Sequence, residues 1–271
     1  MAEKKRLDTV VVDLGFAETR SKASAIIMSG EIYVNGQKET KSGYAVKDTD
    51  KIEFKGKKMP FVSRGGYKLE KAMKTFPITL ENCICMDIGA STGGFTDCML
   101  QCGAIKVYAI DVGYGQLAWK LRTDERVVNL ERTNFRYLTK ETVLDEIDFA
   151  SIDVSFISLK KILPVLFDFL KDNGKTVALI KPQFEAGKDK VGKKGVVRDI
   201  STHKEVISNI VNFAFETGFS VLGLDFSPIR GPEGNIEYLI YLSKNKEKQL
   251  LVDIEKINEI ADKSHTELSG E

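Results

Sequence analysis

Histidine is nearly missing from this sequence of 271 residues, which has two, His203 and His265. Both lie in polar helical stretches and read as surface residues, which leaves no histidine-centred acid–base pair. No GxSxG elbow and no metal-like spacing of His, Asp and Glu occurs either. An excess of one charge sign is also lacking. Lys and Arg number 40 against 39 Asp and Glu, so any nucleic-acid binding has to come from local patches. Long apolar runs are absent. The stretch ILPVLFDFL (162–170) is too short and too interrupted to span a bilayer. At the basic start MAEKKRL no signal-length apolar run follows, because TVVV is cut off by Asp13. With four cysteines and no export signal, a reducing compartment is expected, and with it a soluble, cytoplasmic protein that does not engage a membrane.

Those four cysteines could suggest a metal. Cys83 and Cys85 share one face of an expected strand, and Cys98 and Cys102 are four apart on the following helix. The pairs are too local for zinc knuckles, so they read as core residues and no metal is expected.

What is present is 42% hydrophobic residues, enough for about two packed domains. Composition shifts near residue 60. Before it, TRSKASAIIMSG (19–30) reads as a helix stopped by Gly30, and Asn35–Gly36 sits between two short strands as a hairpin turn. After it, strand-like runs alternate with helical stretches: CICMDIG, KVYAIDVG, RVVNL, FASIDVSF, KTVALIKP, FSVLGLDFSP and IEYLIYLS. Nearly continuous apolar strands with helices between them indicate a parallel, doubly wound α/β sheet. Only SPIRGPEGN separates the last two, too little for a helical crossover, so the final strand should pair antiparallel. The charged tail from 244 reads as a terminal helix.

The stretch DIGASTGGFTD (87–97) is a glycine-rich turn between the first of these strands and a helix. It lacks the lysine of a phosphate-binding P-loop. Ser91 stands where a dinucleotide fingerprint has its second glycine. S-adenosylmethionine carries a sulfonium and an ammonium and no phosphate. It favours a carboxylate at the strand end, and Asp87 supplies one. Asp111 ends the next strand twenty-two places after Gly89, a distance at which an acid receives ribose hydroxyls. In ERTNFR, Asn134 could meet adenine, and a plain loop fits that segment equally well.

Ligands of open α/β sheets sit outside the carboxyl ends of the strands. Asp153 in SIDVSF and Lys181 in LIKPQFE occupy such ends, and Glu237 in GNIEYLIYL has apolar neighbours on both sides. A charge in an apolar strand is costly unless paired, so the three suggest one polar constellation, against the plainer reading of a structural salt bridge. With a methyl donor, such a set suits a ribose 2′-hydroxyl, a poor nucleophile until its proton is removed or its lone pair aimed. A lysine in a dry site can do either.

Between the two halves, KGKKMPFVSRGGYKLEKAMK (55–74) holds seven Lys and Arg, among them Arg64, Lys68 and Lys71, against the single acid Glu70. Interleaved Phe61 and Tyr67 and the pair Gly65–Gly66 make backbone-phosphate tracking credible. A second basic segment, KDKVGKKGVVRD (188–199), contains Lys193 and Lys194.

The segment RLDTVVVDLGFAETRSKASAIIMSGEIYVNG (6–36) resembles the S4 RNA-binding domain, through RLD, TRSKA and GEIYVNG. FVSRGGYKLEKA, DIGASTGGFTD, AIDVGYGQLAW, ERTNFR, SIDVSFISL, LIKPQFEAG and GPEGNIEYL resemble the TlyA or haemolysin A family, S4-domain relatives of the FtsJ/RrmJ ribose 2′-O-methyltransferases. The resemblance implies a small α+β S4 domain over 1–60, a basic linker over 61–75, a Rossmann-like methyltransferase domain over 76–245 and a charged C-terminal helix over 246–271. It implies a Lys–Asp–Lys–Glu tetrad at Lys68, Asp153, Lys181 and Glu237, of which Lys68 comes from the resemblance alone. It also implies S-adenosylmethionine contacts at Asp87, Gly89, Ala90, Ser91, Thr92, Gly93, Gly94 and Phe95 and at Asp111, with Val112 and Asn134 beside them. RNA contacts are expected at Arg6, Arg20, Lys22, Arg64, Lys71, Lys193 and Lys194. The implied substrate is ribosomal RNA or a ribosomal subunit, often at cytidine, with Lys181 orienting or deprotonating the hydroxyl. Two other readings stand beside it: a non-catalytic RNA-binding or ribosome-assembly factor, and the membrane-lytic protein suggested by the family's older name.

Overall fold

The computed structural model describes residues 5–17, 19–56 and 59–268. The chain divides into two compact units between Pro60 and Phe61.

The first unit runs β1 (Lys5–Arg6), α1 (Leu7–Asp13), α2 (Arg20–Met28), β2 (Ile32–Val34), β3 (Gln37–Lys38), β4 (Ala45–Val46) and β5 (Ile52–Phe54). Thr19 caps α2 by accepting a hydrogen bond from the Lys22 amide. The chain leaves that helix through Gly30 at φ 77°, a conformation that costs glycine little. Asn35 (φ 51°) and Gly36 (φ 79°) make the two-residue turn joining β2 and β3. Leu7, Val11, Ala23, Ile27 and Ile32 form a core between the two helices and the three-stranded sheet.

The second unit runs α3 (Gly65–Thr75), β6 (Ile84–Ile88), α4 (Gly94–Gln101), β7 (Lys106–Ile110), α5 (Trp119–Arg122), β8 (Val127–Leu130), β9 (Ile147–Ile152), α6 (Leu163–Phe169), β10 (Leu170–Ile180), α7 (Pro182–Glu185), α8 (Ile200–Thr217), β11 (Ser220–Phe226), β12 (Tyr238–Ser243) and α9 (Ile254–Leu268). Its seven strands lie in the order β11-β12-β10-β9-β6-β7-β8. All neighbours are parallel except β12, which runs antiparallel to both β10 and β11. All seven expected strands form, and the last reverses direction as the short connection requires. Both sheet faces are covered by apolar clusters, one centred on Met86, Ile152 and Ile240 and the other on Cys85, Phe149 and Val177. Cys85 and Cys98 are buried, all four cysteines are free, and no group of three or more potential metal ligands occurs among the described residues.

Two expectations need correction. Residues 61–75, expected as a basic linker, are folded into the second unit. Phe61 and Val62 are buried, and Leu69 and Ala72 pack one face of α3 into the core with Phe76 beyond it. Gly66 serves this packing, since a Cβ there would run into the Phe61 ring, and Gly94 lets α4 approach it, since a Cβ on Gly94 would lie 2.8 Å from the Gly66 nitrogen. Lys57 and Lys58 of the basic run lie outside the described residues. The histidines also differ from the sequence reading. His203 is fully buried on α8, where its ring nitrogens meet the Tyr238 hydroxyl at 2.7 Å and the Val197 carbonyl at 2.9 Å. His265 is half-buried on α9, its ring centroid 4.7 Å from that of His203.

Candidate active site

The carboxyl ends of β6, β7 and β9 open on a cavity of about 540 Å³, within the range of small-molecule sites. Gly89 forms part of its wall at φ 87°, and a Cβ there would lie 2.6 Å from the Asp153 carbonyl oxygen. No other residue type fits both that backbone conformation and that approach. Asp111, at the end of β7, accepts the Ser91 amide at 2.8 Å and the Gly113 amide at 2.7 Å, and so fastens the glycine turn to the next strand.

Five of the residues expected at a cofactor line this cavity: Gly89, Ser91, Asp111, Val112 and Asn134. The others do not. Asp87 is buried and aimed into the protein, accepting from the Thr96 amide and hydroxyl at 2.9 and 2.7 Å and from the Ser151 hydroxyl at 3.0 Å. Burial pushes its carboxyl up to about 6 against those hydrogen bonds. It braces the start of α4 from below. Ala90, Gly93, Gly94 and Phe95 are buried in packing, and Thr92 points to solvent.

Beside the cavity stands a chain of alternating charges. Glu237 lies 2.7 Å from the Lys68 ammonium, Lys68 lies 3.1 Å from Asp153 Oδ2, and Asp153 Oδ1 lies 2.6 Å from the Lys181 ammonium. Lys181 also donates to the Ser155 hydroxyl at 3.2 Å. Glu237 is 1% exposed and both lysines are 7% exposed. Lys68 comes from α3, Asp153 follows β9, Lys181 follows β10, and Glu237 immediately precedes β12. Asp153 and Ser155 also line the cavity, which joins the two features into one site. Burial opposes the charge on Lys68, but Asp153 and Glu237 outweigh it and hold the ammonium above the ordinary lysine value. For Asp153 burial favours the neutral acid, and Lys68 and Lys181 together overcome it and hold the carboxyl low.

Several neighbours escaped the sequence reading. Gln183 on α7 points its amide nitrogen at Glu237, at 3.5 Å. Gly231 sits so close that a Cβ would come 2.7 Å from a Glu237 oxygen. Phe156, 91% exposed at the cavity rim, holds a left-handed backbone at φ 63° with its ring centroid 5.0 Å from that of Phe184. Nothing in the one-dimensional pattern marks these roles, since Gln183 and Phe156 matter through neighbours remote in sequence and Gly231 through the turn that brings it back to Glu237.

The basic residues divide. Arg6 and Arg20 flank the buried Asp8, at 2.8 and 3.1 Å, with both arginines largely exposed. Lys22, Arg64, Lys193 and Lys194 are exposed. Lys71 departs from expectation, because it pairs with Asp225 at 3.2 Å, donates to the Phe226 carbonyl at 2.6 Å and lies over the Phe226 ring. It fixes α3 to the sheet edge and is taken up there.

A model of the FtsJ-like methyltransferase family matches residues 61–244, and a model of the S4 domain matches residues 5–52. YqxC of Bacillus subtilis, provisionally named an rRNA methyltransferase, is 49% identical over 98% of this chain and 96% of its own length. The 16S/23S rRNA (cytidine-2′-O)-methyltransferase TlyA of Mycobacterium tuberculosis is 41% identical over 92% of this chain and 94% of its own. A solved structure from Streptococcus thermophilus that bears the hemolysin name superposes with a TM-score of 0.79 at 47% identity, covering 99% of this chain and 98% of that one. The alternating charges thus sit on a sheet whose whole length has close methyltransferase relatives, and the chain belongs to the FtsJ-like methyltransferase family, in the TlyA type that carries an S4 domain ahead of the methyltransferase domain.

Proposed function

We propose that this protein transfers a methyl group from S-adenosylmethionine to a ribose 2′-hydroxyl of ribosomal RNA, at a cytidine. The observation that carries the reading is the Glu237–Lys68–Asp153–Lys181 chain abutting a cavity of cofactor size.

The cavity suits the cofactor. Its wall is cut back at Gly89, where any side chain would strike backbone. Its charged lining is Asp111, Asp153 and Arg136, and since Asp153 is already held between Lys68 and Lys181, Asp111 is the carboxylate that faces the cofactor. Each carboxylate oxygen of Asp111 accepts one amide and keeps capacity for a ribose hydroxyl. When bound, S-adenosylmethionine supplies an electrophilic methyl group on sulfur. The protein's part is to present the hydroxyl oxygen. Lys68, held charged, keeps Asp153 ionised, and Asp153 fixes Lys181 beside the cavity. There Lys181 would aim the ribose oxygen or take its proton, while the methyl group leaves sulfur for that oxygen and the sulfur keeps the bonding pair. Holding the reacting atoms in line supplies part of the acceleration, on the order of several kcal/mol. The S4 unit, with Arg6, Arg20 and Lys22 exposed, supplies RNA affinity.

The test is methyl incorporation into ribosomal RNA from cells lacking the protein, with 2′-O-methyl sites mapped by mass spectrometry. Wild type should methylate a cytidine ribose and Lys181→Ala should lose about a hundredfold or more in rate, about 2.7 kcal/mol. Equal incorporation by the two would remove the mechanism.

A further inference from the structure

The two catalytic segments of this site are cross-braced by a residue to which no role has yet been given. The turn after β9 carries Asp153 and Ser155 and continues through Phe156 to Ser158 and Leu159. The segment after β10 carries Lys181 and then the single turn of α7. Glu185, the last residue of α7, reaches across. One carboxylate oxygen accepts the Ser158 hydroxyl at 2.6 Å and the other accepts the Leu159 amide at 2.7 Å. Ser158 in turn caps the next short helical turn by accepting the Lys160 amide at 3.1 Å.

We infer that Glu185 is a positioning residue for methyl transfer, holding the Asp153–Leu159 turn in register with Lys181; the inference rests on the function proposed above. Four observations support it. The turn is not in a relaxed conformation, since Phe156 has φ 63°, and a bulky residue keeps that backbone only where its surroundings over-determine it. Glu185 fixes the turn immediately after Phe156, and the adjacent Phe184 packs on the Phe156 ring. One carboxylate oxygen serves a hydroxyl and the other an amide, so a single side chain ties two successive residues of the turn. Burial raises the Glu185 carboxyl, and the Ser158 and Leu159 hydrogen bonds, with the nearby charge of Lys160, oppose that rise. Lys181 contacts both Asp153 and Ser155, so a loosened turn displaces two of its partners together.

The test compares Glu185→Ala, Glu185→Gln and Ser158→Ala in the full chain, by hydrogen exchange and by steady-state methylation of ribosomal RNA. In Glu185→Ala the peptides covering 154–161 should exchange at least tenfold faster, with β6, β7 and β10 unchanged. At temperatures where the variant is folded, kcat should fall at least tenfold while KM for RNA moves less than threefold. Glu185→Gln keeps one acceptor for the Leu159 amide and should recover most of the lost rate. The effects of Ser158→Ala and Glu185→Ala should combine to less than their product, since both open the same brace. Unchanged exchange in Glu185→Ala would overturn the inference, and so would faster exchange at undiminished kcat. If wild type transfers no methyl group to ribosomal RNA, the proposed function fails separately, and the exchange result still decides whether Glu185 holds the turn.

Discussion

Replacing Lys68 by Met tests whether the buried charges act as one coupled chain. Methionine keeps most of the stem volume and removes the ammonium that lies between Asp153 at 3.1 Å and Glu237 at 2.7 Å. Two carboxylates are then left near one another with Lys181 as the remaining cation of the chain. Breaking a buried pair by removing one partner costs about 3–5 kcal/mol, which for a unit of this size lowers Tm by roughly 6–20 °C. The deficit should depend on pH. In wild type the Asp153 carboxyl is held low, so its contribution is present above the unfolded carboxylate range and fades as pH falls through the folded value. In the variant the same carboxyl titrates higher, so the gap between the two proteins should be widest near neutral pH and narrow toward pH 4. Adding Glu237→Gln removes one of the stranded charges and should restore about 1–2 kcal/mol. Urea unfolding of the four proteins of this cycle at pH 7.5 and pH 5 measures each quantity. A Lys68→Met protein within 1 kcal/mol of wild type, or a double variant weaker than Lys68→Met alone, would refute the coupling (both thresholds lie well inside the 3–5 kcal/mol at issue).

Three further outcomes are expected. Asp111→Ala should weaken S-adenosylmethionine binding about ten- to hundredfold by calorimetry, because a charged acceptor worth about 1.5–3 kcal/mol is lost together with the brace on Ser91; an unchanged Kd would place the cofactor elsewhere. Lys71→Ala should cost about 1–2 kcal/mol in urea unfolding and leave RNA affinity within twofold, whereas Lys194→Ala should leave stability alone and reduce the salt slope of RNA binding by about one. Burial, with His265 nearby, lowers His203 below 6.5, so the unfolded chain takes up that proton first and stability should fall as pH drops below about 6.5, levelling off beneath the folded value. Asp87, raised to about 6, acts in the opposite sense over the same range, so the measurement is the difference between wild type and His203→Gln.

The sheet was readable because its strands are buried on both faces, which leaves apolar runs such as VALI and YLIYL that need no alternation. Asp153, Lys181 and Glu237 were readable for the same reason, as charges at the margins of those runs. Lys68 was not. It reaches Asp153 from 85 positions away on a helix whose composition looks like a solvated basic run, and only the family resemblance singled it out. Asp87 and Asp111 look alike in sequence, each an acid at a strand end. What separates them is that Thr96 and Ser151 turn Asp87 inward, and that depends on where α4 and β9 sit. His203 was misread although a signal existed. It falls on the stripe Val206, Ile207, Ile210 and Ala214 that α8 buries, and one more turn of helical periodicity would have placed it inside.

The alternation of signs also explains why the site uses four charged groups where the chemistry asks for one lysine. A lone lysine buried this deeply would favour its neutral form, and a lysine with a single carboxylate would make a closed pair with little reason to engage a third group. Here Asp153 is shared. Lys68 meets two carboxylates and Lys181 one, so both lysines hold Asp153 ionised and the inner one remains on it when the outer one turns away. The cluster is neutral as a whole, which limits the desolvation cost of burying it, yet its unevenness leaves the cation nearest the cavity able to turn toward an arriving hydroxyl without stranding a charge behind it. Neutralising the inner pair together, in Lys68→Met/Glu237→Gln, should therefore injure methyl transfer more than folding, because Asp153 would then hold Lys181 as a closed pair.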